Sequence, residues 1–144
     1  MVERIRPPSW FWLIALLAIL WGVMGVVAFY MDVTMSPAAI ADLSSYDRAL
    51  RASRPGWFMW LYGSAVWTGL IGGVLLLLRS ALAHGVYVVS LVLVIAMFGY
   101  IFAVTDLIAV KGFGVAAGFP ILVALIAGAE IWFAAWARRR AWLA

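Results

Sequence analysis

Residues 57–79 read WFMWLYGSAVWTGLIGGVLLLLR, and the reading of this run decides the fold. No charged side chain occurs before Arg79, and the run exceeds the roughly 20 helical residues needed to cross a hydrocarbon core of about 30 Å. Its apolar residues are continuous, not alternating, which excludes a barrel strand, and an open backbone cannot stay unsatisfied in lipid, so the run is a transmembrane helix. Two rows of small residues follow its pitch: Ser64, Thr68 and Gly72 form one, and Ala65, Gly69 and Gly73 the other. Such rows let helices approach closely where lipid supplies no hydrophobic drive for association.

Working outward, three more apolar runs of spanning length appear at 9–30, 81–104 and 113–137, making 57–78 the second of four. The first is too long for the 7–15-residue core of a signal peptide and is read as a mature helix. Composition agrees: the 144-residue chain is 68% hydrophobic and 11% charged, against averages of roughly 45–50% and 25% for soluble domains. The fold class is therefore all-α, an integral membrane four-helix bundle, with 1–144 as one membrane domain. The fourth span repeats the small-residue pattern in Gly114-x-x-x-Gly118 and Ala124-x-x-x-Gly128, and the first carries Gly22 and Gly25. These rows serve either packing within the bundle or an oligomer or partner interface.

Several function classes fall away on residue counts. There is no cysteine and His84 is the only histidine, so thiol catalysis, Fe–S clusters, zinc sites and bis-histidine haem lack their ligands, and no cofactor is expected. No phosphate-binding glycine loop, no Ser/His/Asp constellation and no paired membrane carboxylates occur, so an enzyme is not expected. The formal charge is +4, but the basic residues flank the spans and do not form a stripe interleaved with aromatics, so nucleic acid is not expected as a partner.

The positive-inside rule sets the expected orientation. With both termini cytoplasmic, Arg4, Arg6, Arg79, Arg138, Arg139 and Arg140 lie inside, and Arg48, Arg51, Arg54 and Lys111 outside. That bias predicts both termini in the cytoplasm. The first outer loop holds SPAAIADLSSYDRALRAS, with Ser36 as N-cap and Pro37 at the first helical position, and predicts one short amphipathic helix over 37–53. Asp47 is placed to pair with Arg51 at i,i+4, and Asp32 and Asp106 read as solvated loop charges. Most tryptophans sit at span ends as interface anchors. Trp21 and Trp67 are exceptions, each about 15 Å deep at 1.5 Å per residue, and are candidate contacts for a quinone or other lipid-like ligand.

One residue breaks the apolar pattern of the fourth span. Glu130 lies about 12 Å above the arginines that close the span, where an ionised carboxylate costs at least about 2.5 kcal/mol. It is expected to be protonated, paired or wetted. Tyr87 matches its depth, also about 12 Å, with His84 at about 8 Å and Thr68 at about 16 Å. His84, Tyr87 and Ser90 recur at i,i+3 and share a polar strip on the third span. Glu130 is thus either a working intramembrane site with Tyr87, His84 and Thr68 near it, or an interhelical hydrogen-bond donor. Pro120 interrupts the fourth span and predicts a kink.

Trp21-x-x-Met24-Gly25, Pro55-x-Trp57, Ala65-Val66-x-x-Gly69-x-x-Gly72, Leu76-Leu77-Leu78-Arg79 with Ala83 and Ser90, Phe119-Pro120, Trp132-Phe133-Ala134 and the final Trp142-Leu143 together resemble a small family of bacterial four-span membrane proteins often labelled sugar transporters. The resemblance covers almost the whole chain and implies a four-span fold with a transport role. It also implies a polar residue in the middle of the third span, where this chain has Ala96-Met97.

Two functional expectations follow. The first is a non-enzymatic accessory or interaction subunit of a membrane assembly, in contact with lipids and with a membrane protein partner or its own copies. The second is a small-solute or proton-coupled carrier or channel working as an oligomer, with Glu130 near its path; a lipid-like ligand binder at Trp21 and Trp67 is a further alternative.

Overall fold

The computed structural model describes residues 4–144. Among them every regular element is helical: α1 Ser9–Val33, α2 Pro37–Ala41, α3 Ser45–Ala52, α4 Gly56–Leu77, α5 Leu82–Val104, α6 Leu107–Lys111 and α7 Phe113–Arg139. Four of these, α1, α4, α5 and α7, are long and apolar enough to cross a membrane. Their outer surfaces are covered with exposed large apolar side chains such as Leu16, Leu20, Ile95 and Leu125, which suits hydrocarbon surroundings.

The bundle is built around α4, which packs against α1 on one side and α5 on the other, while α7 packs against α5. Close approach to α4 depends on missing side chains. A Cβ at Gly22 of α1 would sit 2.7 Å from the Cα of Leu70, and one at Gly73 would sit 3.2 Å from the backbone nitrogen of Ile19. On the α5 side, a Cβ at Gly72 would fall 2.8 Å from the Tyr87 ring. The helix α7 meets α1 differently, through rings at the end of the bundle that carries the described termini. Phe11 stacks on Phe133 at 5.9 Å, and Trp10, Trp136 and Trp142 close a cluster with centroid separations of 4.9–5.7 Å. The continuous core lies at this terminal end, from Phe11, Ala15 and Ala18 across to Phe133, Ala134, Ala137 and Leu143.

Helix ends must satisfy their own carbonyls, and α4 and α7 do so in the same way. Arg79 and Ala141 follow the two helices with φ of 60° and 56°, a left-handed conformation that glycine normally fills. Ser80 N–H then donates to the Leu75 carbonyl and Trp142 N–H to the Ala137 carbonyl, the double turn-back that ends many helices. Arg79 further donates from Nε to the Trp142 carbonyl (2.8 Å) and from its guanidinium to the Ile5 carbonyl (2.7 Å). The Ala144 N–H donates to the Arg79 carbonyl and the Ala81 N–H to the Ala144 carbonyl, each at 2.9 Å. One arginine in the turn between two spans thereby ties both terminal segments to the bundle.

At the opposite, loop end the structure departs from the single helix expected over 37–53. Two short helices stand there, because Ser36 and Ser44 each cap their own: Ser36 Oγ accepts from Ala39 N–H and Ser44 Oγ from Asp47 N–H, both at 3.1 Å. The expected Asp47–Arg51 pair does not form. Arg51 reaches Asp32 at the end of α1, joined there by Arg54 at 2.9 Å, and Asp47 takes Lys111 of α6 at 2.7 Å. Partners on other elements outcompete the in-helix neighbour because they lie across the polar face that α3 turns toward α1 and α6. Asp32 and Asp106 are correspondingly not free loop charges, since Asp106 accepts the Tyr46 hydroxyl at 2.8 Å. The helix α3 is a strap that links the first span to the corner between the third and fourth. The fourth span runs without interruption through Pro120.

Two outcomes follow from this packing. Gly22→Ala must force α1 from α4 and is expected to lower stability by about 1–3 kcal/mol, whereas Gly114→Ala, whose added Cβ meets nothing within 4 Å, is expected to raise it by about 0.5–1 kcal/mol; denaturant unfolding in detergent micelles compares the two.

The second outcome concerns pH. The Lys111 ammonium, and after it the Ser44 hydroxyl, hold the Asp47 carboxyl below its ordinary range. Because the folded value lies below the unfolded one, this contact contributes fully above about pH 4 and is lost as pH falls through the lowered folded value. The protection of α3 amides relative to their intrinsic exchange rates is expected to fall below that pH in the parent protein, and to be low at every pH in Asp47→Asn.

Candidate functional site

The polar strip of α5 and the small-residue row of α4 form one arrangement. Ser90 Oγ donates 2.9 Å to the Ala65 carbonyl and lies 3.3 Å from where a Gly69 Cβ would stand. One turn nearer the terminal end, the Tyr87 ring lies over Gly72 and is 1% exposed. Ala65, Gly69 and Gly72 are therefore the bed in which two polar side chains of α5 are buried. A methyl group at 72 would collide with the ring.

Tyr87 and Ser90 differ in one respect. The Ser90 hydroxyl is satisfied by a backbone carbonyl, while the Tyr87 hydroxyl is buried and has no hydrogen-bond partner among the described residues. The Glu130 carboxyl of α7 stands beside it, half-buried, without closing a hydrogen bond to it. A phenol next to a carboxyl at this depth is equipped to share a proton or to clasp a polar group placed between them. A buried phenol without a partner costs about 1–3 kcal/mol, which packing against Gly72 offsets.

The other candidates fall elsewhere. Thr68 donates back to the carbonyls of Ser64 (2.7 Å) and Ala65 (3.0 Å) on its own helix, so its hydroxyl is engaged away from Glu130. Ser64 is exposed and packs no neighbouring helix closely. His84 turns outward into a groove with Ala135, Arg138 and Arg139. Trp67 is 41% exposed and Trp21 half-buried, and among the described residues they make no aromatic contact with each other, so they enclose no ligand between them. Gly114, Gly118 and Gly128 meet nothing within 4 Å of an added Cβ. Of the expected packing positions on α4, Ala65, Gly69, Gly72 and Gly73 are covered by neighbours and Ser64 is not, while those on α7 are open.

Four positions make contacts or line a groove that the sequence reading does not foresee. Arg79 was read only as a topology marker, although a lone arginine in the shortest connection between two spans signals an anchor. Asp32 was read as solvated, although Arg51 and Arg54 lie on the same side of the membrane. Arg138 and Arg139 were read as flanking charges, although His84 falls within one or two turns of their depth.

Comparison with protein families, with characterised proteins and with solved structures finds no match to this chain.

The site makes a direct expectation. Tyr87→Phe removes a hydroxyl that has no partner, so thermal stability is expected to hold or rise by about 1 kcal/mol. Glu130→Gln keeps a polar group of the same shape, and helicity and melting are expected to stay close to the parent's. A clear loss of stability in Tyr87→Phe would mean that the hydroxyl is engaged in the membrane.

Proposed function

We propose that the chain is a non-enzymatic membrane interaction protein, an accessory subunit that docks another transmembrane helix on the outward face of α7. The observation that carries this reading is the difference between the two sets of glycines. Gly22 and Gly25 of α1 and Gly63, Gly69, Gly72 and Gly73 of α4 are closed by neighbours within the bundle, while Gly114, Gly118 and Gly128 face open space. They share that side of α7 with Ile121, Leu125 and Trp132, exposed by 45%, 66% and 62%. Small residues framed by large apolar ones are the usual seat of a second transmembrane helix.

A bacterial inner membrane with both termini cytoplasmic is the location we propose. The ion pairs support that orientation: Arg51, Arg54 and Lys111 at the loop end are matched by Asp32 and Asp47, while among the described residues Arg138 and Arg139 near the termini have no carboxylate partner. A second reading, a proton-coupled carrier, draws on the unpartnered Tyr87 hydroxyl beside Glu130 and on the resemblance to proteins labelled sugar transporters. Proteoliposomes separate the two, since a carrier requires pH-driven uptake that Glu130→Gln abolishes.

Native mass spectrometry after gentle extraction tests the leading reading. A second polypeptide, either another membrane protein or a second copy of this chain, is expected in fixed ratio. Gly118→Leu is expected to release it at least tenfold, about 1.4 kcal/mol, without changing the unfolding of the chain itself. A monomer carrying lipid alone would overturn it.

A further inference from the structure

At the terminal end, Arg138 and Arg139 close α7 and His84 stands one turn into α5. With Ala135 they line an open groove of about 370 Å³ between the two helices. Three side chains able to carry positive charge thus converge from two elements. Among the described residues neither arginine has a carboxylate partner, in contrast to Arg51, Arg54 and Lys111 at the other end. The neighbouring Arg140 is engaged separately, over the Trp136 ring at 4.9 Å.

The groove also continues into the membrane. On the flank of α7 that carries Arg138 and Ala135, the next turns present Ile131 and then Gly128, where an added Cβ would meet nothing within 4 Å. On α5 the turn after His84 presents Val88, also exposed. The result is a charged mouth at interfacial depth that leads into a shallow apolar seam.

We propose that this groove binds the phosphate headgroup of an anionic phospholipid, with an acyl chain laid along the seam between α5 and α7. The guanidinium groups supply paired N–H donors that match phosphate oxygens, and His84 adds a third contact from the facing helix. Basic pockets between transmembrane helices are suited to this class of ligand. An aqueous phosphate would use the arginines alike but would have no use for the seam. The seam borders the docking face of α7 at Gly128, but Arg138, Arg139 and His84 are not among that face's residues and Gly118 is not among the groove's, so either reading can fail without the other.

The test titrates the detergent-purified full chain with phosphatidylglycerol or phosphatidylcholine of identical acyl chains, read by native mass spectrometry. One phosphatidylglycerol is expected to be retained in preference to phosphatidylcholine. Arg138→Gln and Arg139→Gln are each expected to weaken retention about fivefold, and His84→Gln to weaken it independently. Arg140→Gln is expected to leave it unchanged, and millimolar inorganic phosphate is expected not to displace the lipid. All variants are compared at parental helicity by circular dichroism, with His84→Gln deciding if an arginine variant does not fold. Equal retention of the two lipids, or undiminished retention in the variants, would overturn the proposal. Displacement by inorganic phosphate without lipid preference would also overturn it, by assigning the groove to an aqueous anion.

Discussion

Everything in this bundle depends on how closely α4 can approach its two neighbours. In lipid, apolar side chains gain nothing by leaving hydrocarbon for one another, so helices associate through packing contact and interhelical hydrogen bonds. Gly22 and Gly73 bring α1 and α4 to backbone contact, and Gly69 and Gly72 admit the Ser90 and Tyr87 side chains from α5. The Ser90 bond to Ala65 is available only at that separation. The glycines thus do two jobs with one property: they remove steric bulk, and the space they leave is filled either by backbone or by a polar side chain that needs shelter from lipid.

The ends of the helices obey a different constraint. Once the spans are packed, their last carbonyls and the connecting segments still need hydrogen-bond partners near the edge of the hydrocarbon. At the terminal end this is met by main-chain turn-backs and one arginine, with Arg79 and Ala141 accepting an unfavourable φ of about 1–2 kcal/mol each. Arg79 compensates through its two side-chain bonds to Trp142 and Ile5. At the loop end it is met by ion pairs on a surface helix, which hold because several charges share partners and because Asp32 is only one-fifth exposed. One end is fastened by geometry and the other by charge.

The fold was legible because spanning length and continuous hydrophobicity are strong, local signals. The four spans lie within a few residues of their expected ends, and Gly69, Gly72 and Gly73 of the second span stand at close helix contacts while Ser64 of the same rows is exposed. The depth match between Tyr87 and Glu130 was also legible, since rise per residue converts position into depth. What escaped was lateral placement. Nothing in the spacing of Asp47 and Arg51 reveals that Asp32 and Lys111 lie nearer, because those contacts depend on how α3 crosses the bundle. The same holds for the glycines of α7, which share the sequence pattern of α4 but face outward. Arg79 and Ala141 escaped for another reason: the left-handed helix stop is usually flagged by glycine, and here neither position has one.

The contrast between α4 and α7 bears on how the chain came to keep both rows of small residues. In α4 only Gly56 at the helix start is open, and a larger residue at Gly63, Gly69, Gly72 or Gly73 would press on a neighbouring helix, so intramolecular packing accounts for these four glycines. In α7 it does not, since Gly114, Gly118 and Gly128 could each carry a side chain without displacing any neighbour within the chain. Glycine inside a helix costs about 0.5–1 kcal/mol relative to alanine, so three of them at open positions amount to about 1.5–3 kcal/mol with no return from this bundle alone. The return has to come from outside it. A close-packed helix seated on that face would provide it through contact that only small residues allow, while lipid tails, which conform to any surface, would not. On α7 the energetic imbalance therefore falls on the outward side, opposite the Glu130 carboxyl and its buried phenol, while Gly85 and Gly99 of α5 are also open to an added Cβ.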